Sequence, residues 1–125
     1  MKTKIKKVLV VDDDPVVIRL VKELLKAQGF LVETAKDGID AMIMVQKGKP
    51  DLIVLDIMMP ELNGYDVLKT LKFNDEYKNI PVILLTAREQ ELDKRIGQMM
   101  GIDYLQKPLD REVFLNKVQQ AVHPC

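Results

Sequence analysis

Residues 8–29 read VLVVDDDPVVIRLVKELLKAQG, and this stretch decides the fold. It begins with an uninterrupted apolar run, which is typical of a strand covered on both faces of a parallel sheet. Apolar residues then recur with the helical period of about 3.6 residues. Asp14 and Pro15 are typical of the N-cap and first turn of a helix, and Gly29 is typical of the position that ends one. The stretch therefore predicts a buried strand followed by an amphipathic helix.

The same order of strand and helix repeats along the rest of the chain. Further apolar runs predict strands at residues 30–32, 52–55, 82–85 and 102–105. Further periodic stretches predict helices at residues 38–46, 65–73, 89–100 and 111–122. The first and last of the four further strands have weaker runs and are expected at the sheet edges. We therefore predict an α/β fold, a doubly wound five-stranded parallel sheet with five helices.

The composition is that of one globular domain. The chain has 125 residues, of which 47% are hydrophobic and 30% are charged, and single domains usually have about 100 to 150 residues. We therefore expect residues 1–125 to form one domain. The 19 basic and 19 acidic side chains cancel. This balance argues against direct binding of nucleic acid, because nucleic-acid-binding domains usually carry a basic excess or a basic face.

Neither a signal peptide nor a membrane span is predicted. The apolar run after the basic N-terminus stops against three aspartates, so it is too short for a signal peptide. Nowhere do about 18 apolar residues follow one another, as a transmembrane helix requires. The single cysteine, Cys125, cannot form an intrachain disulfide. These features favour a cytoplasmic protein without a membrane partner.

Polar side chains follow four of the predicted strands. Asp12 and Asp13 come after the first strand, Asp56 after the third, Thr86 after the fourth and Lys107 after the fifth. Open parallel sheets bind ligands at the carboxyl ends of their strands, where the crossovers change face. In the flavodoxin-like strand order 2-1-3-4-5, which we expect here, strands one and three are neighbours. That order brings the three carboxylates into one depression.

Three carboxylates in one depression require a compensating charge. At a separation of ~5 Å and an effective dielectric constant near 20, each pair repels by ~3 kcal/mol. Three such pairs approach ~10 kcal/mol, which rivals the total stability of a typical domain, ~5 to 15 kcal/mol. A few oxygen ligands around an open, partly hydrated position suit Mg²⁺. We therefore predict that Asp12, Asp13 and Asp56 bind Mg²⁺, with Lys107 beside them.

This set of groups predicts phosphoryl transfer to a carboxylate. Asp56 is the candidate nucleophile, and the product would be an aspartyl phosphate. Mg²⁺ and Lys107 would neutralise the phosphoryl oxygens, so catalysis would be mostly positioning and electrostatics. Thr86 would donate its hydroxyl to a phosphoryl oxygen. Because that hydrogen bond exists only when the phosphoryl group is present, it would move the loop and helix after the fourth strand.

Each of these residues also has a simpler interpretation. An acidic triplet such as 12–14 can be a solvated turn, and Thr86 can cap the next helix. Lys107 can form a structural ion pair with Asp56.

Two other classes of function also remain open, a Mg²⁺-dependent phosphohydrolase and an interaction module that is never phosphorylated. No predicted loop is long enough for a hydrolase cap, and an inert module would not require Asp12, Asp13, Asp56, Thr86 and Lys107 together.

Five motifs carry a family resemblance. In chain order they are Val10-Val11-Asp12-Asp13-Asp14-Pro15, Leu55-Asp56-Ile57-Met58-Met59-Pro60, Asn63-Gly64, Thr86-Ala87 and Tyr104-Leu105-Gln106-Lys107-Pro108. Together they strongly resemble the receiver domains of bacterial two-component response regulators, over about residues 5–122. The expected strand order rests partly on this resemblance, because a chemotaxis protein of that family is a known example of it.

The resemblance implies a phosphorylation-activated signalling switch whose only catalysis is its own phosphorylation and dephosphorylation. Asp56 would accept the phosphoryl group, in a Mg²⁺-dependent reaction, from a phosphohistidine of a sensor histidine kinase or phosphotransfer protein. Asp13 and Asp56 resemble direct metal ligands, Asp12 a ligand through water, and Met58 a ligand through its backbone carbonyl. Phosphorylation of Asp56 would change binding to a downstream protein or effector domain, which the resemblance does not identify.

The resemblance also implies a movement between residues 86 and 107. Thr86 and Tyr104 resemble a switch pair, in which the aromatic ring turns inward as the hydroxyl moves toward the phosphate. The Lys107–Pro108 bond resembles a family bond that is usually cis, although trans is the expectation from sequence alone. Twenty residues separate Thr86 from Lys107, one fewer than is common in the family. We expect the missing residue to shorten the helix at 89–100 or its exit turn, so no output partner is carried over from the family.

Overall fold

A computed structural model of the chain describes residues 6–57, 64–86 and 102–123. Its strands are β1 (Lys7–Val11), β2 (Leu31–Ala35), β3 (Leu52–Asp56), β4 (Val82–Thr86) and β5 (Ile102–Gln106). Its helices are α1 (Pro15–Ala27), α2 (Gly38–Lys47), α3 (Gly64–Lys72) and α4 (Arg111–Val122). The predicted helix at 89–100 lies outside the described residues, and so does Met58.

The strands form one parallel sheet in the order β2-β1-β3-β4-β5, which confirms the predicted order. The register of β1 and β3 decides where the acidic residues meet. Val11 is paired with Leu55, so Asp12 and Asp56 follow two directly opposed residues. The two aspartates are therefore neighbours at the carboxyl ends of these strands.

Alternate side chains of the central strands enter two separate cores. One core packs β1, β3 and β4 against α2 and α3, and it includes Leu9, Leu55 and Leu84. The other core packs the opposite face against α1 and α4, and it includes Val10 and Val54. Burying a large aliphatic side chain contributes roughly 1.5–3 kcal/mol. Both faces of the central strands are therefore held by apolar packing, which explains their uninterrupted apolar runs.

The weaker runs belong to the two edge strands, as predicted. Leu31 in β2 is 58% exposed, and no residue of β5 is fully buried. The predicted strand ends need a correction, because Asp56 and Thr86 are the last residues of β3 and β4 and do not follow them. The backbone hydrogen bonding between β3 and β4 continues past the apolar residues, since the backbone N–H of Ile57 still donates to the carbonyl of Leu85 at 3.0 Å.

Helix α1 begins and ends as its sequence predicts. The Asp14 carboxylate accepts a hydrogen bond from the backbone N–H of Val16 at 2.9 Å, and Pro15 occupies the first turn. After the helix, Gly29 adopts a positive φ of 91°, a conformation that favours glycine. Among the described residues, no helix combines the length and apolar character that crossing a bilayer requires.

Candidate functional site

Three carboxylates meet at the carboxyl ends of β1 and β3, as the sequence predicts. One oxygen of each of Asp12, Asp13 and Asp56 lies within 4.8 Å of the others. Asp12 is fully buried and Asp56 is 5% exposed, whereas Asp13 is exposed. Two of the three charges are therefore removed from water, which makes their mutual repulsion costly.

Hydrogen bonds hold the Asp12 side chain in place. Its Oδ1 accepts from the backbone N–H of Asp14 at 2.9 Å, and its Oδ2 accepts from Lys107 Nζ at 3.0 Å. Its backbone N–H donates to the carbonyl of Ala35 at 3.1 Å, which extends the pairing of β1 with β2 by one residue. The backbone of the acidic turn and Lys107 therefore fix the orientation of this buried carboxylate.

Lys107 reaches the carboxylates from the end of β5. Its backbone N–H donates to the carbonyl of Thr86 at 2.7 Å, and its peptide bond to Pro108 is cis, as the family resemblance implies. Its Nζ lies 3.0 Å from Asp12 Oδ2 and 3.8 Å from Asp56 Oδ2. The simpler interpretation of Lys107 as an ion pair with Asp56 is therefore incomplete, because the shorter contact is with Asp12.

Carboxylates outnumber cations in the part of this cluster that the structure describes. There, three carboxylates face one ammonium, that of Lys107. All the donor atoms in the cluster are hard carboxylate oxygens, and one of the aspartates is open to water. A divalent cation that prefers oxygen ligands and keeps part of its hydration shell, such as Mg²⁺, fits this donor set.

Gly64 brings helix α3 against the backbone beside Asp56. Its N–H donates to the carbonyl of Ile57 at 2.8 Å. A Cβ at this position would lie 2.7 Å from the Cα of Ile57 and would also collide with the carbonyl oxygen of Asp56. The motif Asn63-Gly64 marked this position, but only the structure shows its role. The signal in the sequence is a glycine at the start of a helix that follows an acidic strand end.

The two predicted switch residues differ in environment. Thr86 is fully buried at the end of β4, where it is paired with Gln106. Tyr104 lies in β5 opposite Leu84 and is 42% exposed. The Tyr104 ring is therefore partly exposed, whereas the Thr86 hydroxyl lies in the interior.

A cavity of about 430 Å³ lies elsewhere, near the beginnings of β4 and β5 and against α4. Val82, Ile102, Asp103 and Lys117 are among the residues that line it. The lining residues include none of the carboxylates described above, so this cavity is separate from the acidic cluster.

Comparison with known proteins identifies the family. The family model of the response regulator receiver domain matches residues 8–119. The chain belongs to this family. The receiver domain is 39% identical to the protein PilG of Pseudomonas aeruginosa over 117 residues, which cover 93% of this chain and 87% of PilG. It is 43% identical to the transcriptional regulatory protein PhoP of Bacillus subtilis over 86% of this chain, and the match spans 45% of PhoP.

Solved receiver structures have the same fold. The chemotaxis protein CheY4 of Vibrio cholerae matches 94% of this chain and 99% of its own, with a TM-score of 0.87 and 32% identity. The receiver domain of the sensor histidine kinase PA1611 of Pseudomonas aeruginosa matches 95% of this chain and 98% of its own, with a TM-score of 0.85 and 28% identity. That structure holds a magnesium ion in its active-site cleft.

Membership of this family decides the general function. Receiver domains of response regulators are signalling switches that histidine kinases phosphorylate on an aspartate, and they bind Mg²⁺ at an acidic site. The acidic cluster at the ends of β1 and β3 has the carboxylate chemistry of such a site.

Proposed function

We propose that this receiver domain is switched by phosphorylation of Asp56. The observation that carries the proposal is the meeting of Asp12, Asp13 and Asp56 with Lys107 at the carboxyl ends of three strands. Asp56 is the carboxylate at the end of the central strand β3, and Lys107 lies within 3.8 Å of it. Asp12 is fully buried, and both of its oxygens accept hydrogen bonds that hold its side chain in place.

The reaction is a displacement at phosphorus. A carboxylate oxygen of Asp56 attacks the phosphorus of a phosphohistidine on a sensor histidine kinase or phosphotransfer protein. The P–N bond breaks, the imidazole leaves with the electron pair, and an acyl phosphate forms on Asp56. The Lys107 ammonium stabilises the negative charge of the phosphoryl oxygens as they approach. Dephosphorylation by water returns the free carboxylate.

The metal-binding part of the proposal assigns four protein groups. Asp13 and Asp56 would bind Mg²⁺ through their carboxylates, Asp12 through water, and Met58 through its backbone carbonyl. When bound there, Mg²⁺ supplies the positive charge that the carboxylate cluster lacks. The fully buried position of Asp12 supports its indirect role, because its oxygens already bind Lys107 and the backbone of Asp14.

The output is a change between residues 86 and 107. The hydroxyl of Thr86 would donate to a phosphoryl oxygen, and the ring of Tyr104 would then turn inward. The changed face would alter binding to a downstream protein or to an effector domain. The partly exposed ring of Tyr104 and the buried position of Thr86 support this assignment.

The proposal also covers the whole chain. Residues 1–125 form one receiver domain that catalyses only its own phosphorylation and dephosphorylation. It works in the cytoplasm, whose reducing environment suits a chain with a single cysteine. It contacts neither nucleic acid nor a membrane directly, in keeping with 19 basic and 19 acidic side chains.

Intact-mass spectrometry tests the proposal. The full chain is incubated with Mg²⁺ and acetyl phosphate, and the expected result is a gain of one phosphoryl group that hydroxylamine removes. Asp56→Ala should abolish the gain, and a chelator should prevent it. Asp110→Ala is the matched control, because Asp110 only caps helix α4 through the backbone N–H of Val113. Asp110→Ala should be phosphorylated as the wild type is.

Three outcomes would contradict the proposal. Rapid turnover of phosphate esters without a stable phosphorylated form would indicate a phosphohydrolase. No gain with acetyl phosphate, and none with a phosphorylated histidine donor, would indicate an interaction module that is not phosphorylated. A gain that persists in Asp56→Ala would place the phosphoryl group on another residue.

A further inference from the structure

Asp103, in the edge strand β5, links two parts of the receiver domain. Its two carboxylate oxygens accept hydrogen bonds from Lys117 Nζ in α4, at 2.9 and 2.8 Å. Oδ1 of the same carboxylate also accepts from the backbone N–H of Tyr104, at 2.8 Å. One side chain therefore joins helix α4 to the backbone of the residue whose ring the proposed switch uses.

The direction of the Tyr104 N–H explains why it needs this carboxylate. Backbone N–H groups point alternately to the two sides of a strand. The N–H of Lys107 faces β4, where it donates to the carbonyl of Thr86 at 2.7 Å, so the N–H of Tyr104, three residues earlier, faces away from β4. In the described sheet β5 is the last strand on that side. The Asp103 carboxylate therefore takes the place of a neighbouring strand for this N–H.

Helix α4 gives the link a fixed end. Phe114 and Val118, on either side of Lys117 in the helix, are fully buried in the core beneath α4. The Tyr104 side chain, in contrast, is 42% exposed. Because the Asp103–Lys117 pair is itself partly exposed, such a pair contributes little to stability. Its main consequence is therefore positional, since it holds the backbone of Tyr104 to a rigid element while the ring stays partly exposed.

We propose that Asp103 is a positioning residue for the switch, because it holds the backbone of Tyr104 while the ring turns. The inference rests on the proposed function, in which phosphorylation of Asp56 moves this ring inward. A held backbone leaves the ring one response, a rotation about its own side-chain bonds. Without the Asp103 carboxylate, the edge of β5 can shift in both the phosphorylated and the unphosphorylated protein. Phosphorylation then discriminates less between ring positions, and the change at Tyr104 becomes smaller.

Fluorine NMR of the full chain labelled with meta-fluorotyrosine tests the inference. The chain has three tyrosines, and Tyr104→Phe assigns the Tyr104 signal. Spectra are recorded with Mg²⁺ before and after addition of excess acetyl phosphate, and intact mass gives the phosphorylated fraction. In the wild type, phosphorylation should displace the Tyr104 signal. In Asp103→Ala the phosphorylated fraction should be unchanged, but the displacement of the Tyr104 signal should fall by at least half.

Further variants separate the link from the fold. Lys117→Met removes the connection to α4 and should share the reduced displacement. Combined with Asp103→Ala it should add nothing, because both changes break the same link. Asp103→Asn keeps an acceptor oxygen and should retain more of the displacement than Asp103→Ala. Asp110→Ala is the matched control, since Asp110 is an exposed carboxylate that caps the same helix through the N–H of Val113, and it should respond as the wild type does.

Amide hydrogen exchange of the unphosphorylated protein measures the held backbone directly. Asp103→Ala should make the Tyr104 N–H exchange several-fold faster than in the wild type, because this N–H loses its acceptor. The increase should be smaller at the N–H of Leu105, which faces β4 and not the carboxylate. Lys117→Met should cause a smaller increase at Tyr104 than Asp103→Ala, because the acceptor is still present.

The outcomes distinguish failure of this inference from failure of the proposed function. No phosphoryl gain in the wild type would refute the proposed function, and the role of Asp103 with it. A phosphorylated wild type whose Tyr104 signal does not move would refute the Tyr104 switch. A phosphorylated Asp103→Ala whose Tyr104 signal moves as far as that of the wild type would overturn the inference alone, and so would unchanged hydrogen exchange at Tyr104.

Discussion

Replacing Lys107 with methionine tests the electrostatic basis of the site. Lys107 Nζ lies 3.0 Å from Asp12 Oδ2 and 3.8 Å from Asp56 Oδ2. At an effective dielectric constant near 20, these contacts correspond to gross attractions of about 5.5 and about 4.4 kcal/mol. The two buried carboxylates repel each other by about 3.5 kcal/mol at the 4.8 Å limit of the cluster. Methionine keeps most of the aliphatic stem but removes the only described cation that faces both carboxylates.

The net effect of Lys107→Met is smaller than the gross attractions, because each buried charge has also lost its hydration. Removing one partner of a buried pair typically costs about 3–5 kcal/mol. The side chain of Lys107 is 23% exposed, whereas that of Asp12 is fully buried. We therefore expect the free energy of unfolding to fall by about 2–4 kcal/mol without Mg²⁺. Saturating Mg²⁺ should recover part of the loss, because it supplies charge to the same carboxylates.

Urea denaturation followed by far-ultraviolet circular dichroism measures this change, since the chain has no tryptophan. The matched control is Lys117→Met. Lys117 binds Asp103 at 2.8 Å, but that pair is half-exposed, so its loss should cost less than about 1 kcal/mol. In an Asp12→Asn background, the cost of Lys107→Met should shrink by at least half. A cost below about 1 kcal/mol, or an equal cost in both backgrounds, would refute the argument.

Three further variants test separate contacts. Gly64→Ala should lower the free energy of unfolding, measured by urea denaturation, by about 1–3 kcal/mol and should slow phosphorylation. Gly48→Ala is its control, because the added Cβ would meet only the flexible end of Lys7. Its free energy of unfolding should stay within about 0.5 kcal/mol of the wild type. Asp14→Ala should lose about 1 kcal/mol of cap stabilisation yet bind Mg²⁺ unchanged by calorimetry. Burial lowers the pKa of Lys72, so the unfolded chain binds more protons at this group, and the free energy of unfolding of the wild type should rise as the pH increases toward 10.5. Urea titrations at stepped pH should show a smaller rise for Lys72→Met.

Apolar patterning predicts the part of the fold that apolar burial decides. The runs in β1, β3 and β4 are buried on both faces, so the pattern alone locates them. The strand order is not contained in that pattern and was expected partly from the family resemblance. Strand ends are also poorly predicted, because the backbone ladder continues through Asp56 and Thr86 after the apolar residues stop.

The sequence likewise predicts only part of the candidate site. Placing Asp12, Asp13 and Asp56 together requires only that parallel strands end at one edge of the sheet, and the structure confirms that they meet. The contact of Lys107 with Asp12 depends on side-chain distances that no spacing in the sequence specifies. The same holds for Lys72, which looks like an ordinary lysine at a helix end.

Position along the sheet separates two partly or fully buried charged groups in this receiver domain. Asp56 ends β3 among carboxylates that favour a bound cation, whereas Lys72 lies near the beginning of β4, where no described residue supplies a counter-ion. Both groups depend on burial, but with opposite consequences. Burial of like charges makes the carboxylates require positive charge, whereas burial of the Lys72 ammonium lowers its pKa.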